Sequence, residues 1–479
     1  MTLLDSPVVR NVVRVPPTIR LDDLLTAVSG RLQGPTSVDS FSGATVDSRG
    51  VTPGNLFVAL HGERTDGHHH VLEALRAGAV AALVDRPIAL PGDVDAAIVE
   101  VRDPLTALQE AAAWWRSRHA LRVVGITGST GKTIAKEIVA DVLSRTLVTL
   151  RNAGNLNSET VLPLSLLRLD ATHEAAVLEM SMYTVGEIAR LVEIARPEVG
   201  IVLAVHPTHL ERAGSIERIS QAKAELPAGL PPDGLAILNA DDPRVVAMHA
   251  VTAATVRTFG LGPTADVRAA EIVSRGLAGT EFTLVAPWGT RRLASATPGR
   301  HLVPHALAAA AAAEWLGVPL DEVAAALAAG SHAAHRMQAL AGSGGATLVD
   351  DTYNASPVSV AAALDFLVET PVPKGRRRIA VLGDMLELGP DEEGLHREIG
   401  ERAARSADVL VAVGRRGRWM ADAAVAAGGS RVLTAEDADE AAAVVERDLA
   451  PGPGDLVLLK ASRGIGLDRA VELLREGRP

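Results

Sequence analysis

The stretch V-V-G-I-T-G-S-T-G-K-T, Val123 to Thr133, constrains the fold of this chain more than any other. The residues before it, L-R-V-V-G-I, form an apolar run that reads as a buried strand. The residues after it, I-A-K-E-I-V-A-D-V-L, have helical spacing. A strand that turns through glycines directly into a helix is the setting of a phosphate-binding loop. Gly128 and Gly131 let backbone N–H groups curl round an oxyanion, and the helix start adds partial positive charge. In that reading Thr127, Gly128, Ser129, Thr130 and Gly131 form the cradle. Lys132 reaches the β- and γ-phosphates of a nucleotide, and the Thr133 hydroxyl binds Mg²⁺. The spacing departs from the strict G-x-x-x-x-G-K-[ST] pattern, because Ile126 stands where the first glycine belongs.

The chain has 479 residues, which at ~100–200 per domain predicts three domains. Short apolar runs alternate with helical segments throughout, which predicts an α/β protein with mainly parallel sheets. G-N-L-F-V-A-L and A-V-A-A-L-V-D are strands of a small N-terminal α/β domain, residues 1–111. The helix L-T-A-L-Q-E-A-A-A-W-W-R-S-R leads out of it into the next unit. The central P-loop ATPase-type domain, 112–328, continues with A-A-V-L-E-M, V-G-I-V-L-A-V and L-A-I-L-N. Short antiparallel strands are expected near 253–294, followed by an Ala-rich helix. The C-terminal domain, 329–479, carries A-T-L-V-D-D, R-I-A-V-L-G-D, D-V-L-V-A-V-G and D-L-V-L-L-K, four strands of a Rossmann-like open sheet. Ligands of such sheets sit at the carboxyl ends of the strands, where Asp350, Asp351, Asp384, Gly414 and Lys460 cluster.

A net charge of −11 argues against nucleic-acid partners, which need clustered Lys and Arg. With no cysteine, disulfides, thiolate metal sites and cysteine nucleophiles are excluded. The N-terminus lacks the unbroken apolar core of a signal peptide, and the longest apolar run, 306–313, is too short for a membrane span. A cytoplasmic protein is expected. Of 47 basic residues five are lysines: Lys132, Lys136, Lys223, Lys374 and Lys460. Where arginine does nearly all the surface work, a lysine can mark a need for a compact ammonium or a reactive amine. Lys374, in the basic linker P-K-G-R-R-R, and Lys136 are read as having no such role.

Three further residues carry chemistry. Glu179 ends a strand beside the phosphate loop, where a second contact to Mg²⁺ is needed. His209 follows a buried strand, and alone it reads as structural. Lys223 lies among Ala and Leu on a helix, so burial lowers its pKa and leaves an amine able to react with CO₂. The run His68-His69-His70 suggests a metal site, but consecutive residues on a helix do not share a face.

Together these segments resemble the Mur ligases, the ATP-dependent amide-forming enzymes of peptidoglycan precursor synthesis. The loop G-I-T-G-S-T-G-K-T is similar to the family's own form of the phosphate loop, which accommodates Ile126. V-D-S-R-G-V-T-P-G-N-L-F-V-A-L-H-G-E-R-T-D-G-H resembles a UDP-binding domain. D-D-T-Y-N-A-S-P and A-V-L-G-D-M-L-E-L-G resemble the branch that adds D-alanyl-D-alanine to UDP-N-acetylmuramoyl-tripeptide. N-A-D-D-P, 239–243, matches at a place where the family contacts adenine.

The resemblance implies ATP and two Mg²⁺ ions, with Lys132 and Thr133 on the phosphates and one ion, and Glu179 sharing that ion. It implies His209 on the second ion and Lys223 as a carbamylated lysine at the metal site. It implies Asn239 at adenine, Arg336 reaching ATP from the C-terminal domain, and Ser48 and Arg49 on the UDP-sugar. Asp351, Tyr353 and Asn354 fall near the dipeptide or the nucleotide. The tripeptide carboxylate would attack the γ-phosphate of ATP, and the dipeptide amine would attack the resulting acyl phosphate. A monomer is expected. Ala204, His206, Ser158, Val161, Leu302, His305 and His335 depart from the family pattern. Two alternatives are a Mur-type ligase adding a different amino acid, and a non-catalytic nucleotide-binding regulatory subunit.

Overall fold

Apolar runs bounded by glycine, proline and aspartate become short buried strands, and the segments between them become the helices that cover the sheets. The structure, a computed structural model, describes residues 17–62, 65–152, 157–207, 214–330, 334–429 and 431–476. The N-terminal sheet runs Arg31–Leu32, Ala97–Glu100, Ala81–Val84, Leu56–Val58, Ala44–Thr45; all pairs are parallel except the first.

Helix Pro104–Ser117 follows this sheet. Its start is fixed by Pro104 in the first turn and by the Asp103 side chain, which accepts from the Thr106 N–H. The domain boundary drawn at 111 falls inside this helix. Ala107, Leu108, Ala111 and Ala112 are buried in one core that includes Leu56 and Ala97 of the N-terminal sheet and Leu162 and Leu191 of the central domain. An apolar stripe shared by two domains leaves no linker there.

The central sheet has nine strands. Thr149–Arg151, Ala175–Glu179, Arg122–Thr127, Val199–Val202, Leu235–Asn239 and Thr255–Gly260 lie side by side and parallel. Val267–Ser274 joins Thr255–Gly260 in parallel, and Thr280–Ala286 and Gly289–Ser295 complete an antiparallel meander. The expectation of antiparallel strands throughout 253–294 is therefore corrected for its first third. The chain re-enters the parallel sheet at Thr255 because it crosses over through Pro243–Val246 and Ala247–Val251.

The Ala-rich segment forms helix Val303–Trp315, packed on the helix Lys132–Leu143 that follows the phosphate loop. Ala308, Ala309, Ala311, Ala312 and Ala313 have no exposed surface. Small side chains on every face let this helix sit inside the core, with aliphatic neighbours filling the space that aromatics would take elsewhere.

The C-terminal sheet runs Gln338–Ala341, Thr347–Asp350, Leu456–Lys460, Arg378–Gly383, Val409–Val413, Val432–Ala435, parallel except at the first strand. Its two outer strands go beyond the four expected. Both large sheets turn strand carboxyl ends toward one cavity. Among the described residues no helix is long and apolar enough to cross a membrane.

Ala311→Leu should overpack the contact between helix Val303–Trp315 and its core neighbours. Denaturant unfolding should show a loss of about 1–3 kcal/mol with little change in slope; an unchanged midpoint would mean that this contact is loosely packed.

Candidate active site

Strand Arg122–Thr127 delivers the chain to Gly128, where an added Cβ would lie 2.8 Å from the Leu203 Cβ. Only glycine lets the loop pass that close. Ile126 is fully buried within the strand, paired with Glu179 on one side and Ile201 on the other. The turn therefore starts after it, and the missing Walker glycine is a core residue of the sheet. At Gly131 the backbone is left-handed (φ 79°) and opens helix Lys132–Leu143. Ser129 is anchored twice: its N–H donates to Ala204 O at 2.8 Å, and its Oγ donates to His206 O at 2.9 Å.

Glu179 ends its strand 2% exposed. The Thr133 hydroxyl donates to one carboxylate oxygen at 2.8 Å and the Asn157 amide donates to the other at 2.6 Å. Among the described residues no cation lies within ion-pair distance of it. A buried anion held by neutral donors, beside the threonine of a phosphate loop, fits a hard divalent cation with oxygen ligands. Lys132 faces the same cavity, its Nζ donating to Gly128 O at 2.9 Å. Burial lowers its pKa, Glu179 opposes that shift, and Arg336 adds to it.

Lys223 is 3% exposed on helix Ile216–Ala228. Burial, and then the charge of Lys132, push its amine well below the usual lysine range. No hydrogen bond or ion pair holds this amine among the described residues. A buried amine whose pKa is lowered loses its proton more readily than an ordinary lysine. His209 lies outside the described residues. His206 is lowered by burial, with Asp242 opposing.

The cavity, of about 450 Å³, closes from the other side with the C-terminal domain. Arg336 lies over the Tyr353 ring, 4.1 Å from its centroid, and its buried Nε has no hydrogen-bond partner among the described residues. Lys460 donates to Asp351 at 2.5 Å and to Asn354 O at 3.0 Å. His335 adopts φ 58°; its Nδ1 sits 2.8 Å from Asp350, which holds the strained residue in place. Thus Ser129–Thr133, Glu179, Arg336, Asp351, Tyr353 and Asn354 meet at one cavity.

Other expected residues lie elsewhere. Asn239 is not among the cavity-lining residues, and its amide is engaged: Nδ2 donates to Leu203 O at 2.7 Å, and Oδ1 accepts from Asp241 N–H at 2.9 Å. Ser48 and Arg49 sit in a turn of the N-terminal domain, where Arg49 pairs with Asp47 at 2.8 Å and holds its carboxyl down to about 2.

The histidine run separates as its spacing requires: His68 is buried, His69 exposed and His70 intermediate. His68 instead meets His61 and Asp85, but both its nitrogens are used, Nδ1 with Asp66 at 2.7 Å and Nε2 accepting the Asp85 N–H at 3.1 Å.

Sequence reading missed Asn157, His301, Glu387 and Arg463, all of which line the cavity. Lys460 carried a signal, its rarity as a lysine. Lys136 has no exposed surface, and its amine donates to Asn152 O at 2.6 Å.

Two mainly parallel α/β sheets share one cavity, the central one ending there in a phosphate-binding type of loop, and a third small domain precedes them: the class is a three-domain α/β protein with a nucleotide-type site. Residues 40–116 match the Mur ligase family catalytic domain, 126–313 the Mur ligase middle domain and 335–463 the Mur ligase glutamate ligase domain. The chain is 36% identical to the UDP-N-acetylmuramoyl-tripeptide–D-alanyl-D-alanine ligase of Escherichia coli K12, with 96% of this chain and 99% of that protein covered. It is 38% identical to the Mycobacterium tuberculosis H37Rv enzyme of the same name, with 89% and 91% covered. Among solved structures, MurF from Acinetobacter baumannii superposes with a TM-score of 0.84 at 30% identity, covering 96% of this chain and 100% of that one. MurF from Thermotoga maritima in complex with ADP gives 0.78 at 29% identity, covering 91% and 97%. The chain belongs to the Mur ligase family.

His305, another departure from the family pattern, packs on the loop: an added Cβ at Gly131 would lie 2.1 Å from its Nε2. Burial, with His301 beside it, pushes its imidazole down to about 4, against about 6.5 when unfolded. Between those values the unfolded chain binds the extra proton, so stability is lost as pH falls from about 6.5 toward 4. At about 1.4 kcal/mol per pH unit the loss reaches about 3 kcal/mol. Denaturant titrations at neutral pH and near pH 4 should show His305→Asn losing less stability on acidification than the unsubstituted chain; equal losses would contradict a buried neutral imidazole.

Proposed function

We propose that this chain joins D-alanyl-D-alanine to UDP-N-acetylmuramoyl-tripeptide, consuming ATP and forming ADP and phosphate. The observation that carries the reading is the shared cavity. It sets Gly131, Lys132, Thr133 and Glu179 of the central domain against Arg336, Tyr353, Asn354 and Lys460 of the C-terminal domain.

A carboxylate is a poor electrophile. Its attack on the γ-phosphate of ATP forms a C–O–P bond and releases ADP, giving an acyl phosphate. The amine of the dipeptide then attacks that carbonyl, loses a proton, and expels phosphate as the amide forms. Both steps bring anions together. The loop N–H groups and Lys132 hold the transferring phosphoryl group, and Arg336 supplies a second cation from the opposite domain. Two Mg²⁺ ions would supply further charge neutralisation: Thr133 and Glu179 would hold one, and His209 would hold the second, with a carbamylated Lys223 as an anionic ligand of the metal site. A neutral Lys223 amine forms that carbamate by adding CO₂ and releasing one proton. Ser48 and Arg49 contact the UDP-sugar, Asn239 lies toward adenine, and Asp351, Tyr353 and Asn354 lie toward the dipeptide. A cavity walled by two domains keeps water from the acyl phosphate. The reaction belongs to peptidoglycan precursor synthesis, and we place the enzyme in the cytoplasm as a monomer.

Phosphate release with ATP, Mg²⁺ and UDP-N-acetylmuramoyl-tripeptide should depend on added D-alanyl-D-alanine; turnover indifferent to the dipeptide would refute the proposal. Lys132→Ala should lower kcat by about 10²–10³-fold, in line with the loss of one preorganised charge-stabilising donor. Lys223→Ala should lose most activity, and wild-type turnover in that variant would remove the carbamate from the scheme.

A further inference from the structure

Lys136 is the buried cation that the proposed reaction does not use. It lies on helix Lys132–Leu143, one turn beyond Lys132 and Thr133. Its side chain has no exposed surface. The amine donates to the backbone O of Asn152 at 2.6 Å and pairs with Glu137 at 2.8 Å. Glu137 also binds Arg151 at 2.6 Å, and Arg151 binds Asp141 at 2.7 Å. The end of strand Thr149–Arg151 is thus tied to the phosphate-loop helix at two successive residues.

Asn152, itself fully buried, passes this anchoring on. Its Oδ1 accepts the Glu179 backbone N–H at 3.0 Å, and its Nδ2 reaches the Glu179 carbonyl at 3.5 Å. The carboxylate of the same Glu179 takes hydrogen bonds from Thr133 and Asn157. Helix Lys132–Leu143 therefore fixes Glu179 by two routes: Thr133 holds its carboxylate directly, and Lys136 holds its backbone through Asn152. A lysine suits this position because a compact ammonium fits where the planar fork of arginine does not.

We propose that Lys136 is a positioning residue for the divalent-cation site, setting the place of the Glu179 carboxylate relative to Thr133 through Asn152. The proposal rests on Glu179 and Thr133 acting as the cation site. Asn152 is one step removed from the ligand Glu179, and removing partners of that kind typically changes metal affinity by about 10–100-fold; Lys136 acts through it.

The test is calorimetric titration of ADP into the full chain with and without Mg²⁺, for the unsubstituted protein, Lys136→Met, Lys136→Arg and Asn152→Ala. Thermal unfolding without ligand checks that each variant is folded. The unsubstituted chain should bind ADP more tightly with Mg²⁺. In Lys136→Met that gain should shrink by about tenfold while metal-free ADP affinity changes by less than about twofold. Asn152→Ala should lose the gain to a similar extent, and Lys136→Arg should lose part of it. Should Lys136→Met not fold, the other two variants decide. A purely structural lysine would lower the unfolding temperature and leave the Mg²⁺ gain intact, which overturns the proposal. No Mg²⁺ gain in the unsubstituted chain would instead remove the Glu179 cation site on which the proposal stands.

Discussion

A single buried carboxylate organises this structure. Glu179 ends the strand beside Arg122–Thr127, almost without solvent, and an anion there must be met by donors or by a cation. Thr133 and Asn157 supply two hydrogen bonds, and Lys132 lies close enough for the two charges to influence one another. The phosphate loop, the helix behind it, Asn152 and Asn157 are all arranged around this group.

The second requirement is met by topology. Parallel strands carry their ligand sites at their carboxyl ends. Here two such sheets turn those ends toward each other, one contributing Ser129–Thr133 and Glu179, the other Asp351, Tyr353 and Lys460. Each domain thus holds half of the chemistry. Arg336 illustrates the consequence: it belongs to the C-terminal domain, its guanidinium lies over Tyr353, its buried Nε has no hydrogen-bond partner among the described residues, and it lines the same cavity as Lys132.

Much of this was legible in the sequence because it depends on local rules. The alternation of apolar runs with helical segments specifies a parallel α/β architecture, and the run from Val123 to Thr133 specifies loop and helix start within a residue or two. Ile126 was accounted for in sequence only by resemblance to the family's form of the loop; its burial between Glu179 and Ile201 gives the physical reason. What could not be read was whatever depends on distant pairing. Helix Pro104–Ser117 looks like a connector in sequence, yet its apolar stripe serves two domains. Lys136 looks like an ordinary polar helix position until Asn152, sixteen positions further on, returns to meet it. Asn239 shows the converse: a motif residue whose side chain is occupied by backbone groups nearby.

The chemistry turns on whether the phosphate of ATP passes to the tripeptide carboxylate. That transfer can be followed by labelling the reacting carboxylate with ¹⁸O and recovering the inorganic phosphate after turnover with ATP and D-alanyl-D-alanine. Attack by the carboxylate leaves one of its oxygens on phosphorus when the amine expels phosphate, so the released phosphate should carry one ¹⁸O per amide formed. Unlabelled phosphate accompanying amide formation would contradict an acyl phosphate, and with it the role given to the cavity between the two sheets.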